Sequence, residues 1–181
     1  MKGKTALVLM LLVFVLPVGL AKLILDLNWY QGGVTNRGHL LEQPLSAAWL
    51  AEAEQWKLVY LMPEQCDARC QGALFNLRQI PQAMGAGKTR VGSVLLVGSL
   101  ELAQADVEPK QLAGVRLELA RDDQLDVFRH LEFGGEAIYI ADPLGNVMMA
   151  YPLVSGKAEI LAQGKDVLRD LKRLLKVSKI G

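Results

Sequence analysis

The chain opens on an unbroken apolar run and then settles into short apolar blocks separated by polar turns. Met1-Lys2-Gly3-Lys4 is basic, and Ala6 to Ala21 carries no charged or strongly polar side chain. That run is shorter than the roughly 20 residues a membrane-spanning helix needs. Leu23-Ile24-Leu25-Asp26-Leu27 continues it, and the Lys22 side chain can snorkel, so residues 5–27 predict a transmembrane anchor. Gly19-Leu20-Ala21 has the small-x-small form of a signal-peptidase site, which makes a cleaved secretory peptide the competing reading. Apolar continuation past Ala21, with Trp29 and Tyr30 where interfacial aromatics belong, favours a retained anchor. Lys2 and Lys4 then hold residues 1–4 in the cytoplasm, and the remainder faces outward. In a bacterium this is an inner-membrane protein with a periplasmic domain, in a compartment where disulfides persist.

Residues 28–43 read as a tether, polar and glycine-rich over Gln31 to Gly38, and a globular domain is expected over residues 44–181. Leu45 to Gln55 predicts a short helix capped by Ser46, and Lys57 to Met62 a buried strand stopped by Pro63. Cys66 to about Gln79 predicts a helix with Leu74, Leu77 and Ile80 on one face, disturbed or ended by Pro81 and Gly85. Val91 to Val97 is a second apolar strand. After an irregular stretch containing Pro109, Val115 to Leu119 alternates as a third, and Asp122 or Asp123 caps a helix reaching Leu131. Ala137 to Ala141 and Val147 to Tyr151 are strands flanking the turn Asp142-Pro143-Leu144-Gly145-Asn146, and a final helix spans Lys165 to Val177. The order predicts an α/β fold around one mixed sheet, without repeats or a second domain boundary.

Composition narrows the function by exclusion. With 51% hydrophobic and 22% charged residues the chain is not disordered, and a net charge of +1 offers no footprint for nucleic acid. Gly85-Ala86-Gly87-Lys88-Thr89 resembles the end of a phosphate-binding loop, but position 82 is glutamine and the order is helix then strand, so no nucleotide site is expected. The segment Lys165 to Gly181 carries six basic and two acidic residues, most simply a solvated face, alternatively an attraction to anionic lipid or an acidic partner. His39, in the tether, is expected to be idle.

Chemistry is left to the two cysteines, Cys66 and Cys70. A strand feeding a helix puts Cys66 at the helix N-terminus, where unpaired amides favour a thiolate, and Cys70 one turn later on the same face. Two sulfurs so placed can form a disulfide or jointly hold a soft ion such as Cu(I). Arg69 aids a thiolate there and Asp67 opposes it. A purely structural disulfide closing so short a loop stabilises by roughly 2 kcal/mol, against about 4.7 for a hundred-residue loop. Two ordinary buried cysteines are the remaining alternative.

An N-terminal anchor, a strand, Cys-x-x-x-Cys opening a helix and a late Asp-Pro-x-Gly hairpin together resemble the thioredoxin-like Sco/SenC family, over about Leu58 to Leu175. The resemblance implies a thioredoxin-like mixed sheet with flanking helices. It also implies a membrane-anchored protein that helps mature the copper site of cytochrome c oxidase, by delivering Cu(I) or by reducing the site's cysteines. Cys66 and Cys70 would be the catalytic or metal-binding pair, and the partner an oxidase subunit. The chain departs from the family at several positions. Gln71 replaces the proline after the second cysteine, and the aspartate-rich segment is missing near Val97 to Ala103. Gly135 and Glu136 stand where thioredoxins carry a proline before the Ala137 strand. The register of the family's copper-binding histidine falls on Gly134; His130, four residues earlier on the preceding helix, reads first as an exposed or capping histidine and otherwise as the candidate third ligand. A general periplasmic thiol-disulfide oxidoreductase, or a non-catalytic docking module of the same fold, are the rival classes.

Protease added to spheroplasts is expected to digest the domain and spare the N-terminus. A soluble mature form beginning at Lys22 would overturn the retained anchor.

Overall fold

The structure is a computed structural model that describes residues 2–27 and 35–178. It divides into two units, residues 1–35 and 36–181. The first is helix α1 (Lys2–Asp26), with Pro17 inside it. Its stretch Gly3–Asp26 is long and apolar enough to cross a membrane, a candidate transmembrane span. At 1.5 Å per residue it reaches about 36 Å, enough for a hydrocarbon core of about 30 Å.

The second unit carries a six-stranded sheet in the order β1-β6-β5-β2-β3-β4. The elements run β1 (His39–Ser46), β2 (Trp56–Leu61), α2 (Ala68–Ala83), β3 (Val91–Val97), α3 (Leu100–Asp106), β4 (Arg116–Leu119), α4 (Asp122–Arg129), β5 (Ala137–Ala141), β6 (Asn146–Pro152) and α5 (Lys157–Val177). β2, β3 and β4 are parallel, while β5 and β6 return antiparallel beside β2 and β1 closes the far edge against β6. Every residue of β2 and β5 is buried, which explains why these strands read as continuous apolar blocks: both faces of the sheet are covered. Leu58, Tyr60, Leu95 and Ile138 join a core with side chains of α2 and α5. Val59, Leu61, Leu96 and Tyr139 join a second core with Leu125 and Phe128 of α4.

Four expectations are corrected. The domain begins within the segment read as tether, because His39–Ser46 is strand β1; an edge strand exposed at most positions, with a register shift between Leu40 and Leu45, lacks the apolar block that marks the inner strands. Part of that tether, residues 28–34, lies outside the described residues. The helix expected over Leu45 to Gln55 reduces to one 3-10 turn at Ala48–Leu50. α5 starts at Lys157 rather than Lys165, and α3 forms in the stretch read as irregular. Gly164 looks like a helix breaker, yet a Cβ there would lie 2.7 Å from Asn76 Oδ1, and one at Gly72 would lie 2.7 Å from Ile160. The two glycines let α2 and α5 approach closely, and Asn76 crosses the gap to Ile160 O (3.2 Å) and Gln163 Oε1 (3.1 Å).

Asp170 of α5 ties the domain's first residues to its last helix. It is 2% exposed, and its Oδ2 accepts from the amides of Arg37 (2.6 Å) and Gly38 (2.9 Å) and from the Tyr151 hydroxyl (2.8 Å). Asp170→Ala leaves two amides unpartnered and the Tyr151 hydroxyl with only Met149 Sδ (3.1 Å), and is expected to cost about 3 kcal/mol, lowering Tm by roughly 10 °C for a domain of this size. Asp170→Asn, which keeps an acceptor oxygen, should recover part of the loss in a thermal melt.

Candidate functional site

The site lies where β2 hands over to α2. Met62 prolongs the sheet by donating to Leu96 O (2.9 Å), and residues 63–65 then turn the chain out of it. Asp67, not Cys66, is the cap of α2: its Oδ1 accepts from the amides of Arg69 (3.0 Å) and Cys70 (2.9 Å). Cys66 therefore stands one residue outside the helix cap and Cys70 in the first turn. The two are joined as a disulfide with a Cα–Cα separation of 5.2 Å, inside the usual range. Of the alternatives open to the sequence, the structure holds the pair in the oxidised form. Cys66 is half-buried and Cys70 fully buried, so an incoming sulfur meets Cys66 first.

Carboxylates surround this disulfide. The Cys66 amide donates to Asp106 Oδ2 (2.7 Å) at the end of α3. Arg69 is committed to two acids, Asp67 Oδ2 (3.2 Å) and Glu136 Oε2 (2.7 Å), so its charge is shared before it reaches a sulfur. The hydrogen bond donated by the Cys70 amide, above all, holds the Asp67 carboxyl below its usual range, with further help from Arg69. A cavity of about 360 Å³ opens beside Cys66, walled by Tyr60, Pro63, Arg69, Glu136 and Leu153. A second, of about 450 Å³, shares Pro63 and Glu136 with it and extends past Leu61 and Val97 to Ser99 and Arg129. Both open beyond the carboxyl end of β2, where open α/β sheets receive ligands.

His130 is not brought to the cysteines. It is the exposed C-cap of α4, its Nδ1 lies 2.6 Å from Asp126 O, and it lines a separate cavity with residues 41–45. Among the described residues no group of three or more His, Cys, Asp or Glu side chains is placed to hold a metal ion. Gly134 is needed as glycine: its φ is +50°, and a Cβ there would sit 3.2 Å from Arg129 O. His39 has a structural part, its Nε2 2.9 Å from Glu132 Oε2 and its ring edge-on to Phe133 at 5.1 Å.

The sequence reading missed Tyr60, Glu136, Asp106 and Gln71 as members of the site. Tyr60 is hidden inside an apolar strand. Glu136 and Asp106 approach across 70 and 40 residues of chain, and no local pattern announces them. Gln71 could have been found, since it follows Cys70 directly and presents Nε2 3.5 Å from Cys66 Sγ.

Residues 56–178 match the model of a family described as transmembrane-like, thioredoxin-like, C-terminal domain. No curated protein matches the chain. Among solved structures, a SCO1/SenC family lipoprotein from Bacillus anthracis overlays with a TM-score of 0.48 at 17% identity, covering 77% of this chain and 94% of its own. ScoI from Bradyrhizobium japonicum, solved with copper bound, gives 0.41 at 13% identity, with 71% and 97% covered. Peroxiredoxin Q from Xanthomonas campestris gives 0.46 at 18%, with 74% and 92% covered.

The depressed Asp67 carboxyl predicts an acid-labile entry to α2. A carboxyl whose folded pKa is lowered contributes fully above the ordinary aspartate value, about 3.9, and loses its contribution as pH falls through the lower folded value. Urea midpoints measured between pH 6 and pH 2 should fall less steeply in Asp67→Asn, which caps without titrating. Equal slopes for variant and wild type would show that this carboxylate is not what acid removes.

Proposed function

Because the chain belongs to the transmembrane-like, thioredoxin-like family, whose C-terminal domain it carries at residues 56–178, we propose that it is a single-pass inner-membrane protein whose periplasmic domain exchanges thiols and disulfides through Cys66 and Cys70, in the assembly of a respiratory copper oxidase. The observation that carries the exchange chemistry is the disulfide itself: one sulfur half-buried beside an open cavity, the other sealed in the core. The oxidase setting is supported by the sequence resemblance to Sco/SenC proteins, through the anchor, the Cys-x-x-x-Cys and the Asp-Pro-x-Gly hairpin.

In the reducing direction, the Cys66 thiolate attacks a disulfide of the partner and expels one partner sulfur as a thiolate. Cys70 then attacks Cys66 in the mixed disulfide, closing Cys66–Cys70 and releasing the second partner sulfur. Two electrons pass to the partner, and a periplasmic dithiol reopens the pair. The same reduced pair also suits Cu(I) as cargo, because two thiolates satisfy a soft, low-coordinate ion. Cu(II) prefers nitrogen and oxygen ligands, and His130, beside a different cavity, does not supply one here.

Two measurements test this reading. Cys66→Ser should abolish exchange with a disulfide-bonded peptide, and Cys70→Ser should accumulate the mixed disulfide on Cys66; exchange that survives Cys66→Ser overturns the proposal. In anaerobic titration the reduced chain should take up one Cu(I), lose it with either serine variant, and keep it in His130→Ala. A pair that cycles with a thioredoxin-type reductant yet takes up no Cu(I) removes the carrier role and leaves the oxidoreductase.

A further inference from the structure

Three tyrosines lie in the domain's two cores, and two of them have hydrogen-bond partners. Tyr139 donates to Gly134 O (2.7 Å) and Tyr151 to Asp170 Oδ2 (2.8 Å). Tyr60 is 0% exposed and its hydroxyl oxygen has no partner. A buried hydroxyl left unsatisfied is destabilising, and phenylalanine would supply the same ring without it. The position of Tyr60 gives the hydroxyl a use. It is the penultimate residue of β2, on the sheet face covered by α2. It shares a core with Cys70 and walls the cavity into which Cys66 opens.

The two redox forms of the pair differ in what they ask of such a donor. A sulfur in a disulfide is a weak acceptor, whereas a thiolate accepts charge-assisted hydrogen bonds. Most nearby donors are already committed. The Cys70 amide is held by Asp67, the Cys66 amide by Asp106, and Arg69 by Asp67 and Glu136. Gln71, itself held by Gln111, already donates to Cys66 Sγ.

We propose that Tyr60 is a redox-linked positioning residue: unpartnered while Cys66–Cys70 is closed, its hydroxyl donates to the Cys66 sulfur once the disulfide is opened. The inference deepens the exchange reading above and rests on it. When an external dithiol reduces the pair, the Cys66–Cys70 bond breaks, a disulfide forms in the reductant, and two electrons pass to the cysteines; of the dithiol's two protons one goes to Cys70 and the other to solvent, which leaves Cys66 as the thiolate. Tyr60 gives up no proton in that exchange. Burial foremost, then the carboxylates Glu136 and Asp67, push its own ionisation far above the ordinary range, so it acts as a donor and not as a base. Closing the pair orphans the hydroxyl and opening it supplies an acceptor. Both effects bias the equilibrium toward the reduced form, the one that attacks partner disulfides.

The test uses Tyr60→Phe in the full-length, detergent-solubilised protein. Equilibration with dithiothreitol should shift about tenfold toward the disulfide, a potential about 30 mV more negative. Melting should separate the two forms: Tm of the oxidised variant holds or rises, while Tm of the reduced variant falls. Tyr151→Phe, which breaks a bond present whatever the state of the cysteines, should lower both by similar amounts. A Tyr60→Phe redox constant within twofold of wild type, or equal Tm shifts in the two forms, overturns the proposal; a cavity water bound to Tyr60 in both states would give that result. A wild-type pair that fails to equilibrate with dithiothreitol at all defeats the exchange reading itself, whereas a wild type that cycles normally beside an unaffected variant defeats only the role of Tyr60.

Discussion

Everything in the domain hangs on β2, a central strand that must be covered on both faces. Trp56, Leu58 and Tyr60 point into the core shared with α2 and α5, and Val59 and Leu61 into the core shared with α4. Parallel pairing with β3 and antiparallel pairing with β5 lock its register from both sides. Its carboxyl end is consequently fixed in register, and the turn at residues 63–65 has a defined place from which to start α2. The cysteines inherit their position from this packing.

The immediate surroundings of the pair oppose the simple expectation of a helix N-terminus that stabilises a thiolate. Asp67 takes the amides of Arg69 and Cys70, so two donors of the first turn serve a carboxylate. Arg69, the nearest cation in sequence, bridges Asp67 and Glu136. The side-chain donors left near Cys66 are Gln71, 3.5 Å from its sulfur, and Tyr60, whose hydroxyl has no partner while the disulfide is closed.

Copper chemistry and thiol chemistry make different demands on this architecture. A carrier restricted to Cu(I) needs two sulfurs and little else, whereas a site that also stabilises Cu(II) needs a nitrogen ligand converging on them. In the turn after α4, Gly134 has a positive φ and its carbonyl accepts from the Tyr139 hydroxyl, so the position offers no side chain as a metal ligand. His130 ends α4 on the side of β1, where it lines a cavity with residues 41–45.

The sequence by itself determined the apolar N-terminal helix, the inner strands β2, β3, β5 and β6, and the strand-to-helix junction holding Cys66 and Cys70. Each is announced by a local rhythm: a long apolar run, fully apolar blocks where both sheet faces are buried, and a turn preceding a helical face. Edge strand β1 was illegible because exposure at most of its positions erases the apolar pattern, and the true start of α5 was hidden by Gly164, whose purpose is close packing on Asn76. Only the tertiary structure decided the membership of the site. Tyr60, Asp106 and Glu136 meet the cysteines through sheet register and crossover connections that join residues far apart in the chain. The separation of His130 from the pair was decided in the same way, because convergence of side chains is a property of packing and not of spacing along the chain.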